Sequence, residues 1–198
     1  MRLIKVMLLA CCLTLLIIMS GCSVFKPVNV TLTPEIGNND VEYGNNTPSV
    51  ALTVLDERPT TIIGQRGGNG MGGEVKLQGD LIQLITASIK SGLEDEKVKV
   101  LQGNHDEVAN LRIEIRSLNY KIITGVWSGT ARADSSMKAI CTPAIGEPYS
   151  RLYRYSYDRK GLQLAPDENE IPRIISKAVS EVINKILNDK ELAQCLSN

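Results

Sequence analysis

Ile171-Pro172-Arg173-Ile174-Ile175-Ser176-Lys177-Ala178-Val179-Ser180-Glu181-Val182-Ile183-Asn184-Lys185-Ile186-Leu187 repeats apolar side chains three and four residues apart. That spacing gathers them on one side of an α-helix. Pro172 fits the first turn, where its missing N–H costs nothing. So wide an apolar stripe needs a broad partner, and a β-sheet supplies one. The sheet is read upstream: Leu111, Ile113 and Ile115 alternate with Arg112, Glu114 and Arg116, and Leu118, Tyr120 and Ile122 extend the run. This is the period of a strand with one wet face. Val126 to Cys141 and Ser150 to Tyr157 supply two more strands, with Thr142-Pro143-Ala144-Ile145-Gly146-Glu147-Pro148 as the hairpin loop between them.

Further out, Ser49-Val50-Ala51-Leu52-Thr53-Val54-Leu55 reads as a central strand stopped by Asp56-Glu57-Arg58-Pro59. Gly64 to Gly73 reads as a glycine-dense loop, and Asp80 as the N-cap of a helix reaching about Leu93. Leu81, Ile82, Leu84, Ile85, Ile89 and Leu93 fall near one face of that helix. Val98 to Leu101 is a short strand and Asn104-His105-Asp106 a turn. The order predicts a single α+β domain over residues 48–198, a mostly antiparallel sheet with two amphipathic helices packed on one face. Residues 22–47, rich in Asn, Pro and Gly, read as a tether; the alternating Val28-Asn29-Val30-Thr31-Leu32-Thr33 is a candidate edge strand within it.

The N-terminus carries an address. Arg2 and Lys5 form a basic head, and Val6 to Ile18 an apolar core interrupted only by Thr14 and too short for a permanent membrane span. Met19-Ser20-Gly21-Cys22 follows. The run resembles the lipobox of bacterial lipoproteins, in which small residues at the scissile bond fit a narrow peptidase groove and the cysteine thiol takes a diacylglyceryl group. Residues 1–21 are therefore expected to be a signal peptide, and Cys22 the lipidated N-terminus. Several acyl chains on one cysteine make a durable anchor, at about 0.8 kcal/mol per buried methylene. Ser23 follows the cysteine where an Asp would resemble an inner-membrane retention signal. The expected location is thus the inner leaflet of the outer membrane, facing the periplasm.

Composition narrows the function. The chain has 22 basic and 22 acidic residues; loss of Arg2 and Lys5 with the signal leaves 20 basic against 22 acidic. A nucleic-acid binder would concentrate positive charge instead. Aromatic residues make up 4% of the chain and Trp127 is its only tryptophan, which argues against a stacking platform for sugars or bases. Of five cysteines, Cys11 and Cys12 leave with the signal and Cys22 takes lipid, so Cys141 and Cys195 remain. In an oxidising compartment they are a candidate disulfide, with two buried thiols as the alternative. A bridge would close a loop of roughly 50 residues and stabilise the fold by about 4 kcal/mol.

Motifs for chemistry are weak. Gly68-Asn69-Gly70-Met71-Gly72-Gly73 matches G-x-G-x-x-G, but Pro59 and a polar stretch separate it from the preceding strand and the helix starts late. Gly125-Val126-Trp127-Ser128-Gly129 displaces the serine by one from a nucleophile elbow, and His105, the only histidine, sits in a turn. One histidine and two cysteines cannot complete a structural zinc site without carboxylates. Neither a catalytic residue nor a metal site is assigned, and no cofactor is expected beyond the covalent lipid on Cys22. Asp56 and Arg58 at a strand end form a candidate polar site, with a solvated ion pair as the alternative. Tyr153, Tyr155 and Tyr157 share one strand face, as a partner-binding patch or as half-buried packing.

The lipobox at Cys22, Thr31-Leu32-Thr33-Pro34, Val50-Ala51-Leu52-Thr53-Val54-Leu55-Asp56-Glu57-Arg58 followed by Ile63-Gly64-Gln65-Arg66-Gly67, the helix from Asp80, Leu111-Arg112-Ile113-Glu114-Ile115 and the C-terminal helix together resemble the YajG-like lipoproteins of proteobacteria. The resemblance implies an outer-membrane lipoprotein and supplies no catalytic residues. The expectation is a non-enzymatic envelope protein, attached to the membrane by its lipid and binding a protein or other envelope component, with no nucleic-acid partner. An accessory subunit of an envelope transport or cell-wall synthesis complex is the alternative, for which a tether raises local concentration. A periplasmic hydrolase using Asp56, Glu57 or His105 is a distant third.

Overall fold

Three long strands and one long helix organise everything else. The computed structural model describes residues 26–39, 41–43, 48–68, 72–103, 105, 107–125, 129–162, 167 and 169–198; the signal peptide, Cys22, Trp127 and Ser128 lie outside them. The described strands are β1 (Val28–Val30), β2 (Ser49–Asp56), β3 (Ile62–Gly68), β4 (Glu74–Leu77), β5 (Lys99–Gln102), β6 (Ala109–Thr124), β7 (Gly129–Thr142) and β8 (Tyr149–Leu162). The described helices are α1 (Leu81–Asp95), α2 (Glu170–Leu187) and α3 (Lys190–Ser197).

β6 is the spine. β7 runs antiparallel along one edge of it, and β8 pairs antiparallel with β7. The other edge of β6 is shared: β2 lies parallel beside Ala109–Ile115, and β3 lies parallel beside Tyr120 and Ile122. β5 extends the β2 side and β4 and β1 the β3 side. Four of the seven pairings are parallel. The sheet is therefore mixed, which corrects the expected mostly antiparallel one. Parallel neighbours need a crossover, and α1 supplies it between β2 and β5. The described residues also hold three helices where two were expected; α3, of 8 residues, is too short to declare itself by periodicity.

Local signals explain each element. Asp80 caps α1, its carboxylate accepting from the Ile82 and Gln83 N–H groups at 2.8 and 3.2 Å. In β6 the buried apolar side chains are odd-numbered from Leu111 to Ile115 and even-numbered from Leu118 to Ile122. A one-residue bulge after Ile115 absorbs this change of parity. The helix-facing side of β7 is mostly small, with Ala131, Ala133, Ser135 and Ala139 buried beside Met137 and Cys141. That lets α2 press Ile171, Ile174, Ile175, Val179, Val182, Ile183 and Ile186 against it, all buried. The opposite face of the sheet is polar, with Arg112, Glu114, Arg116 and Glu57 linked in one ion-pair chain.

Two expectations change in the N-terminal third. Within the glycine-dense stretch Gly64–Gly68 belong to β3, which pairs antiparallel with β4 as a hairpin. Glycine serves close approach there: a Cβ on Gly64 would collide with the Tyr120 carbonyl, and one on Gly73 with the Lys26 carbonyl. The stretch read as a tether is docked from Val28 to Tyr43, where Val28, Val30, Leu32, Val41 and Tyr43 join the core. Past β1, which pairs parallel with β4, the chain runs extended beside α2 as a strap. Thr33 N–H donates to Ser176 Oγ, Glu35 N–H to Ser180 Oγ and Gly37 N–H to Asn184 Oδ1, at 3.0, 2.9 and 3.0 Å. Asn188 Nδ2 adds a contact to Asn39 Oδ1 at 3.4 Å. The spacing works because four residues of helix rise about 6 Å and two residues of extended chain about 6.6 Å. Tyr43 closes the strap, its hydroxyl donating to the Leu187 carbonyl at 2.8 Å.

Candidate binding face

β8 puts Tyr149, Arg151, Tyr153, Tyr155, Tyr157 and Arg159 on the side facing the helices, because strand side chains alternate. α2 returns along this row, so each tyrosine meets a different part of it. Tyr153 is buried, 6% exposed, and its hydroxyl donates to Asp189 Oδ2 at 2.7 Å. Tyr149 Oη and Arg151 Nη1 donate to the same oxygen at 3.0 and 2.9 Å. Oδ1 accepts from Glu191 N–H at 2.9 Å and Leu192 N–H at 3.1 Å, which caps α3. Asp189 thus ties β8 to the last helix through five hydrogen bonds.

Burial pushes the Asp189 carboxyl up, but hydrogen bonds from Tyr153, the Leu192 N–H, Tyr149 and the Glu191 N–H outweigh it and hold the group below its ordinary range. Burial, then the bond to Asp189, pushes the Tyr153 hydroxyl above its own. Tyr155 is half-buried beneath the Lys185 ammonium, 5.0 Å from its ring centroid, and Lys185 also donates to the Arg154 carbonyl at 3.1 Å. Tyr157 lies farther along, in a polar cleft of about 320 Å³ formed with Thr33 and Glu35 of the strap and with Arg159, Arg173 and Lys177. Arg159 approaches Glu170 at 3.8 Å and Lys177 pairs with Glu181 at 2.8 Å. The cleft opens at the sheet's edge, since among the described strands β8 pairs with β7 alone.

Asp56 and Arg58 stand elsewhere, at the end of β2, with β6 and β7 between them and the tyrosines. Arg58 grips Asp56 bidentately, Nε to Oδ1 at 2.8 Å and Nη2 to Oδ2 at 2.7 Å. That side-chain bond is the main reason the Asp56 carboxyl sits below its ordinary range. A carboxylate held ionised in this way cannot readily give up a proton as a general acid. Glu57 is engaged by Arg116 at 3.2 Å, and His105 is exposed between β5 and β6. Among the described residues no group of three or more His, Cys, Asp or Glu is placed to hold a metal ion.

Cys141 at the end of β7 and Cys195 in α3 form a disulfide, their Cα atoms 6.4 Å apart across a sequence separation of 54. It lies beside the Asp189 cluster, since Tyr149 pairs with Cys141. Sequence reading missed both Asp189 and the strap. Each had a signal: Asn188-Asp189-Lys190-Glu191 has the form of a helix end followed by a new cap, and Ser176, Ser180, Asn184 and Asn188 place polar groups every four residues on an apolar helix.

Residues 34–197 match the model of a family of uncharacterised lipoproteins, and the chain belongs to that family. No curated protein matches it in sequence. Among solved structures, a Xanthomonas campestris protein of the DUF330 family superposes with a TM-score of 0.56 at 13% identity, over 81% of this chain and 92% of that one. A minor lipoprotein from Acinetobacter baumannii gives a TM-score of 0.43 at 13% identity, over 77% and 92%. Rare lipoprotein B from Shewanella oneidensis gives 0.40 at 13%, over 69% and 90%. The Xanthomonas likeness extends to the fold. No helix among the described residues is long and apolar enough to cross a membrane.

Proposed function

We propose that this member of the lipoprotein family is a non-enzymatic binding protein of the bacterial envelope. Cys22 carries the lipid, Ser23 favours the outer membrane over the inner, and the domain faces the periplasm. Within the family, Thr31–Pro34, Val50–Arg58 and Ile63–Gly67 support a YajG-like subfamily. The partner is a protein or other envelope component with hydrogen-bonding groups, taken up where Tyr157, Arg159, Arg173 and Lys177 open at the β8 edge. The observation that carries this reading is that cleft: a polar recess at a sheet edge whose outer side is paired with no other described strand. Such an edge offers main-chain donors and acceptors to an added strand, and the cleft offers side-chain selectivity. The engagement of Asp56 by Arg58 and of Asp189 by its five donors supports binding over catalysis.

A photocrosslinking residue at Arg159 or Lys177, with one at Thr53 on β2 as control, tests the reading in intact envelopes. The expected result is one discrete adduct at the two cleft positions, lost on Tyr157→Ala, and none at Thr53. Absence of an adduct at the cleft, or equal labelling at Thr53, would overturn it.

A further inference from the structure

The strand pairings bring several chain ends to one end of the sheet. β1 starts where β4 starts, because they run parallel with Val28 opposite Val75. β4 starts where β3 ends, because they form a hairpin, and β3 ends where β6 ends, because Gly68 lies opposite Ile122. β6 turns there into β7, with Thr124 opposite Gly129. Lys26 enters at this same end, its carbonyl packed so closely on Gly73 that a Cβ would not fit.

The chain from Cys22 to Lys26 is four residues, which span at most about 14 Å when fully extended. This end of the domain therefore cannot leave the anchor's surroundings. Its described surface suits a lipid boundary. Ile123 is 41% exposed, Lys26 is exposed, and Lys121 keeps 56% of its side chain exposed while reaching Asp134 at 3.8 Å. An exposed apolar residue at the same end of the sheet as two exposed lysines matches the interface, where the aliphatic part meets acyl chains and ammonium groups meet phosphates.

We propose that this end of the sheet rests on the phospholipid surface that holds the Cys22 lipid, so that β6, β7 and β8 stand away from the membrane. The proposal rests on the reading of Cys22 as the lipidated residue. Its consequence is a fixed reach: the 16 residues of β6, at about 3.3 Å each, put the Asp189 end roughly 50 Å from the bilayer.

Trp127 supplies the probe, since it is the only tryptophan and lies in sequence between Thr124 and Gly129. Full-length lipidated protein is placed in vesicles of phosphatidylethanolamine and phosphatidylglycerol, with or without acyl chains brominated near the headgroup. Flotation reports the anchor and tryptophan quenching reports the contact. The expected result is flotation with at least twofold quenching by brominated lipid. A variant with Trp127→Phe and Ile145→Trp, which moves the probe to the opposite end, should float with none. Flotation without quenching of Trp127, or with equal quenching from position 145, would overturn the proposal and leave the anchor standing. Failure to float would remove the anchor and the proposal with it. Ile123→Glu with Lys121→Glu is expected to lower the quenching without affecting flotation.

Discussion

The two ends of the β6–β7–β8 ladder are held by different means. At the Lys26 end, order comes from backbone meeting backbone, with Gly73 letting the entering chain sit against the β3–β4 hairpin. At the Asp189 end it comes from side chains: a carboxylate with five donors and a disulfide between β7 and α3. Backbone packing tolerates little change of shape, whereas a side-chain hub fails when one group is removed. The near end is thus specified by what is missing from its side chains, and the far end by what is present.

Removing the disulfide should have the largest effect. Cys141→Ser with Cys195→Ser is expected to lower stability by about 4 kcal/mol, from the loop entropy restored to the unfolded chain, read as a shift in urea midpoint. Asp189→Ala follows at about 3 kcal/mol, because it uncaps α3 and leaves the buried Tyr153 hydroxyl unpaired. Hydrogen exchange should then rise in α3 and early β8 while the β3–β4 hairpin stays protected. The same group makes a pH prediction. Its folded carboxyl sits below the ordinary range, so the unfolded chain binds more protons as acid is added. Its stabilisation is full above the unfolded value and is lost as pH falls through the folded one. Asp189→Asn should flatten that acid limb of the stability profile.

At the other end, Gly73→Ala is expected to cost about 2 kcal/mol through overpacking against the Lys26 backbone, with increased exchange at β1 and none at α3. A mutant that loosened both ends equally would refute the division between them. The smallest effect belongs to the strap that joins them: Ser180→Ala should cost about 1 kcal/mol by leaving the Glu35 N–H without its acceptor, measured in the same urea titrations.

Local physics was legible in the sequence where it dominates. The α2 stripe, the Asp80 cap and the β7–β8 hairpin each rest on residues near one another in the chain. The parallel pairings were not, because β2 and β6 are brought together by a crossover whose partner no local pattern names. β3 was hidden by its glycines, which lack the side chains by which strands are recognised. In the candidate site, the tyrosine row was visible as alternation, yet its three members have different surroundings: Tyr153 in the hub, Tyr155 under a lysine, Tyr157 in the cleft. Asp189 faces them only because α2 is long enough to carry the chain back along β8. That is a property of the assembled fold, and its sequence trace is a single aspartate after an asparagine.

The strap also has a history in time. Thr33, Glu35 and Gly37 find their acceptors 143, 145 and 147 residues later, while the chain is made from its N-terminus. Residues that emerge among the first must wait, unpaired, for nearly the last helix before they can be seated. Contacts of such long sequence separation slow folding, since a large loop must close before any of them contributes. The strap is therefore a late clasp: its closure marks a finished molecule, and a chain cut short before α2 would leave its N-terminal stretch with nowhere to go.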